Sequence, residues 1–199
     1  MFIKSSILLL VVTTILDDFI QFIDIEPSCI KLEIVILSSL SNFHKRQAIR
    51  QTWGKSIQLI NKQFSENNVL VCLRFIVGND YCRIHPINRI DSLDCEPLKD
   101  YSNNNQNLEL DNIWNQKMEK TIKALQIESQ NFGDIQFVKV IDVYRKLPDK
   151  LLLSFKNLFD QKRSFTHLFK TDDDCYINVP SLIDLILDHR NEDFAWFGK

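Results

Sequence analysis

The stretch IKLEIVILSS, residues 30–39, constrains the fold of this chain more than any other feature. It is apolar, rich in Ile and Val, and short enough to be a strand buried on both faces, the pattern of a parallel sheet covered by helices. SNFHKRQAIRQTW follows, with Ser41 or Asn42 placed to cap a helix that carries His44, Arg46 and Arg50. VLVCLRFIVG reads as a second strand stopped at Gly78, and residues 79–108 read as a long surface loop because Pro, Asn and Asp recur there without period. Leu110, Ile113, Met118, Ile122 and Leu125 mark a helix from Glu109 to Gln130, and DIQFVKVID (134–142) is a third strand. DKLLLSFKNLFDQK, after Pro148, carries an apolar helical face of Leu151, Leu152, Phe155, Leu158 and Phe159. THLFK is a fourth strand, and a helix opens at Pro180. Strands alternating with helices predict an α/β fold with a largely parallel sheet.

The fourth strand runs straight into Asp172, Asp173 and Asp174. Three adjacent carboxylates repel one another unless water or a cation separates them. Ligands of parallel sheets sit beyond the carboxyl ends of strands, which is where these residues fall. Carboxylate oxygens suit Mg²⁺ or Mn²⁺ shared with substrate phosphates. A calcium loop of the EF-hand type fails, because Ile177 and Ile183 stand where Gly and Glu are required. A phosphatase of the Asp-x-Asp-x-Thr type fails at Cys175 and Tyr176. A diphosphate also needs side-chain cations. Arg46 and Arg50, four apart on one helix face, are candidates, as are Lys150 and Lys170. The competing reading is a solvated acidic turn beside a solvated basic helix face.

Composition excludes several classes. A net charge of −2, with 24 basic and 26 acidic residues, does not suit nucleic-acid binding. Four Gly and five Pro exclude low-complexity and fibrous structure. The five cysteines match no zinc spacing; Cys82 and Cys95 bracket a loop that a disulfide closes in an oxidising compartment, with free, packed thiols as the equal alternative. The N-terminal segment, residues 1–28, starts with one Lys and an apolar run too short for a spanning helix of about 20 residues. It reads as a signal or short signal-anchor segment, with an internal buried segment as the alternative.

Four stretches, HKRQAIRQTWG, RFIVGN, DIQFVKVIDVYRKLPDKLL and LFKTDDDCYINVPSL, stand in the order and spacing of the β-1,3-glycosyltransferase family, glycosyltransferase family 31, which residues 30–199 resemble. The resemblance implies a GT-A, Rossmann-like fold, with residues 29–199 as the part that binds the sugar donor. It implies a UDP-sugar donor, a glycan or glycoprotein acceptor, Mn²⁺, and a type II membrane protein of the Golgi or endoplasmic reticulum. It places Asp172 and Asp173 on the ribose and sugar side of the donor, with Asp174, joined by Asp172, on the metal. Arg46, Arg50 and Lys150 match basic residues near the nucleotide, and Trp53 matches a motif tryptophan of the core. The implied reaction is an inverting β-1,3 transfer of GalNAc or Gal, in which a carboxylate deprotonates the acceptor hydroxyl. The matching base is expected beyond Lys199, so the domain reads as incomplete at its C-terminus. The alternative is a truncated, non-catalytic remnant acting as a binding module.

Overall fold

The computed structural model describes residues 30–63, 69–99, 101, 105–161 and 165–189. The N-terminal segment read as a signal or anchor lies outside them. Among the described residues, no helix is long and apolar enough to cross a membrane.

The elements are β1 (Ile30–Leu37), α1 (Phe43–Gln51), α2 (Trp53–Gln63), β2 (Val69–Asp80), α3 (Asn105–Phe132), β3 (Ile135–Ile141), α4 (Leu147–Asp160), β4 (His167–Asp172) and α5 (Val179–Asp188). Among the described residues, four strands form one sheet in the order β3-β2-β1-β4, and all three pairings are parallel. The predicted α/β architecture is therefore present.

β1 lies between β2 and β4 with helices over both faces, so it is apolar on both apart from Lys31 and buried Glu33, which pairs with Arg74. Leu32, Ile34 and Ile36 face α2 and α5, packing on Ile57, Ile60, Ile183 and Ile186. Val35 and Leu37 point the other way, onto α4 at Leu158. Burying each such aliphatic side chain contributes roughly 1.5–3 kcal/mol. That two-sided cover is the reason the run reads as continuous rather than alternating.

Three expectations are corrected. The described residues 81–99 of the expected surface loop carry a buried, cross-linked interior. Cys82 is disulfide-bonded to Cys95, Arg89 is buried with its guanidinium on the carbonyls of Ile84, Ser92 and Asp94, and Asn88 is buried against Asp111. The disulfide thus decides the alternative left open for that pair. The long helix starts at Asn105 rather than Glu109, and its buried stripe is Asp111, Met118, Leu125 and Glu128, while Leu110 and Ile113 are exposed. Buried carboxylates on that stripe hide its period from an apolar count. For the same reason α4 buries Lys150, Ser154 and Leu158, with Leu152 exposed.

Gly78 pairs with Val138 of β3 just before the register of the two strands shifts. A Cβ there would lie 2.8 Å from both the Asp142 Cβ and the Val140 carbonyl oxygen. Gly78→Ala should therefore destabilise the chain by about 1–3 kcal/mol in urea unfolding, through forced separation of the strands. A change within 0.5 kcal/mol, roughly the noise of surface substitutions, would refute the close-approach argument.

Candidate functional site

The carboxyl ends of β1 and β4 lie side by side, with Leu37 paired to Asp172, at the place where strand order reverses. Parallel sheets bind ligands at such a place because the two outgoing chain segments diverge and leave a crevice. The three aspartates occupy it but are not equivalent.

Asp173 is the buried one, 8% exposed. Its backbone N–H donates to the Leu37 carbonyl at 3.2 Å, continuing the ladder by one residue. Its Oδ2 accepts from Ser38 Oγ at 2.8 Å and from Asn42 Nδ2 at 2.7 Å, and its Oδ1 accepts from Lys45 Nζ at 3.1 Å. Asn42 was expected as a helix cap. It does stand at the cap position of α1, but its amide is spent on Asp173 and makes no capping bond.

Asp172 and Asp174 face outward, their side chains 50% and 66% exposed. Asp172 pairs with Lys170 at 2.9 Å, and Asp174 with Lys45 at 3.5 Å. Lys45, itself 45% exposed, thus sits between two of the three carboxylates. The hydrogen bond to Asp173 is the main reason its ammonium is held above the ordinary 10.5. Behind the turn, the Trp53 indole N–H donates to the Cys175 carbonyl at 3.2 Å, so the core tryptophan fixes where the acidic turn ends.

The other basic residues predicted for the site lie deeper. Arg46 is 0% exposed and forks onto Glu128 at 2.9 and 2.7 Å. Arg50 bridges Glu128 at 2.7 Å and Asp134 at 2.8 Å, and lies over the Phe132 ring at 4.0 Å. Gly133, with φ of 66°, lets α3 end sharply and turn Asp134 toward Arg50. Lys150 is 1% exposed, pairs with buried Asp142 and donates to the Ser38 carbonyl at 2.9 Å. Asp142 also accepts from the Leu40 N–H at 2.8 Å. These three cations therefore build the floor under the aspartates; their guanidinium and ammonium groups are already committed to carboxylates and carbonyls.

Glu128 carries a testable consequence. Burial pushes its carboxyl up, but the hydrogen bonds and charges of Arg46 and Arg50 outweigh burial and leave it below its ordinary 4.5. A depressed carboxylate contributes stability that is complete above its unfolded value and is lost as pH falls through the lower folded value. Stability should thus decline below about pH 4.5, and Glu128→Gln should be weaker at pH 7 but flatter in acid. Urea unfolding across pH 3–7 measures both, and equal acid slopes would contradict the assignment.

Sequence reasoning missed Ser38, Asn42 (in this role), Lys45, Glu128, Asp134 and Asp142. Lys45 lies inside the quoted helix motif, and its neighbourhood to Arg46 was the available signal. Asp134 and Asp142 likewise lie inside the third motif stretch, while Ser38 and Glu128 carry no local signal.

Beside this floor opens a cleft of about 300 Å³, lined by Leu40, Ser41, Tyr81, Trp114, Asp142 and Tyr144 among others. That is the lower end of small-molecule pockets. Trp114 is fixed there by its indole N–H on the Cys82 carbonyl at 2.8 Å, so the disulfide-closed segment shapes one wall.

Among the described residues, no three His, Cys, Asp or Glu side chains are gathered as a metal cage. The donor chemistry of the outward pair suits Mn²⁺ or Mg²⁺, since such ions take one or two carboxylates and complete their shell with water and substrate phosphates. Asp172 and Asp174 present hard oxygens held only by surface lysines, whereas Asp173 is already spent.

The all-parallel sheet is consistent with a GT-A-like glycosyltransferase domain, and residues 114–197 match the family model described as galactosyltransferase. The resemblance read from the four motifs is borne out. More particularly, the chain is 40% identical over 83 residues to UDP-GalNAc:β-1,3-N-acetylgalactosaminyltransferase 2 of Xenopus laevis, covering 41% of this chain and 17% of that protein. It is 41% identical over 92 residues to the Homo sapiens protein of the same name, covering 45% and 18%. It is 27% identical over 158 residues to lactosylceramide 1,3-N-acetyl-β-D-glucosaminyltransferase B of Danio rerio, covering 77% and 31%. The chain thus spans a minor part of each of these relatives.

Proposed function

We propose that this chain binds the sugar donor of a hexosyltransferase, one that moves GalNAc or Gal from a UDP-sugar in β-1,3 linkage to a glycan acceptor in protein O-glycosylation. The observation that carries the proposal is the Asp172–Asp174 turn at the paired carboxyl ends of β4 and β1, with a half-exposed lysine between two of its carboxylates. Asp174 and Asp172 would hold the divalent ion, and Lys45 would face the diphosphate. The nucleoside would lie in the cleft beside Asp142, and Asp173 would orient the ribose and sugar side. The ion's contribution when bound is neutralisation of the departing diphosphate. Arg46, Arg50 and Lys150 belong to the donor site as its framework, holding the strand ends from which the aspartates project.

The disulfide suits an oxidising compartment, which supports a lumenal domain of the Golgi or endoplasmic reticulum; membrane attachment through the N-terminal segment is proposed from the sequence resemblance alone. GalNAc is supported by the similarity to β-1,3-N-acetylgalactosaminyltransferase 2, and Gal by the match to the galactosyltransferase family model.

Calorimetry of the full 199-residue chain with UDP, with and without Mn²⁺, tests the donor site. Binding that requires the ion is expected. A folded chain that binds no UDP in either condition removes the proposal. Transfer from UDP-GalNAc against UDP-Gal onto a GlcNAc-terminated glycan then separates the two sugars.

A further inference from the structure

We infer that Ser38 is a positioning residue that transmits the fixed orientation of Arg46 to Asp173, so that a buried cation sets the geometry of the site without touching ligand. The inference deepens the sugar-donor reading and rests on it only where binding is concerned.

The direction of each hydrogen bond carries the argument. A guanidinium has donors and no acceptor, so at 2.9 Å the Ser38 hydroxyl must accept from Arg46 Nη1. Its single proton is then free for one partner, and Asp173 Oδ2 lies at 2.8 Å. Arg46 cannot rotate away. Its Nε and Nη2 are forked onto Glu128, and its Nη1 also reaches the Ser39 carbonyl. The rotor of Ser38 is therefore locked from one side and delivers its proton to the other.

Ser38 is itself immobile. Its N–H donates to the Ile76 carbonyl at 3.0 Å and its carbonyl accepts from Lys150. With Asn42 on the same Asp173 oxygen and Lys45 on the other, the carboxylate has one allowed plane. Asp174 is tied to it through Lys45, which pairs with both carboxylates. A serine is well suited to the post, because its hydroxyl can accept and donate at once, which an amide or a carbonyl cannot do on a single atom.

The test is a double-mutant cycle of Ser38→Ala and Asp173→Ala, read twice. In urea unfolding of the free chain, the two changes should be coupled by about fivefold to tenfold in the unfolding equilibrium constant, because each removes the same bond. In UDP titrations with Mn²⁺, Ser38→Ala should weaken affinity roughly fivefold to twentyfold in the wild-type background and have no further effect with Asp173→Ala. Additive losses, with coupling under about twofold in unfolding, overturn the inference whatever UDP does. Coupling in unfolding by a chain that binds no UDP sustains the relay while removing the sugar-donor reading.

Discussion

Lys150→Met is expected to cost about 3–5 kcal/mol in urea unfolding, a large part of the 5–15 kcal/mol typical of a folded domain. Lys150 is 1% exposed, and its partner Asp142 is equally shut off from solvent. Removing the ammonium leaves a buried carboxylate with only the Leu40 N–H as a donor, besides orphaning the Ser38 carbonyl. An uncompensated buried charge is far more costly than the net value of the pair it came from. Adding Asp142→Asn should return part of the loss, since the neutral amide needs no counter-ion and its oxygen can still accept from Leu40. The sequence motif marks Lys150 as a residue near the nucleotide. Loss of UDP affinity in a Lys150→Met chain of undiminished stability would restore it to direct contact and sink the framework assignment.

The second large effect is on binding. Asp172→Asn together with Asp174→Asn should reduce metal-dependent UDP affinity by at least about 10–100-fold, the range lost even when only the supporting shell of a metal ligand is damaged. Stability should hardly change, because both side chains are half-exposed or more and paired only with surface lysines. Calorimetry and thermal unfolding on the same preparation give both readings. Unchanged affinity would show that the outward carboxylates do not hold the ion. The contrast with Lys150 is diagnostic, since one variant moves stability first and the other moves binding alone.

Much of the scaffold was legible because its signals are local. The apolar run at 30–37 announces a strand covered on both faces, and Leu32, Ile34, Val35 and Ile36 are buried as it requires. Pro180 opens the last helix in the sequence and lies in the first turn of α5. The aspartates could be placed at a strand end because THLFK runs directly into them. The stripe of α3 was misread at Leu110 and Ile113, since two of its buried positions, Asp111 and Glu128, are charged and count as surface in any apolar period.

Arg46 and Arg50 show the limit most clearly. Four apart on a helix, they have the look of a solvated basic face or of phosphate ligands, and adjacent residues offer no reason to choose a third role. What buries them is Glu128, 82 residues from Arg46, and Asp134, 84 residues from Arg50. Asp173 likewise meets Ser38 across 135 residues and Asn42 across 131. Sequence by itself determined the alternation of strands and helices and the acidic turn at the end of β4, both being consequences of side-chain periodicity within a single element. Only the tertiary structure decided which carboxylate is buried, which cations are framework and which lysine faces outward. In a parallel sheet the ends of neighbouring strands are brought together by long crossovers, so the partners of Arg46, Arg50 and Asp173 are distant in the chain.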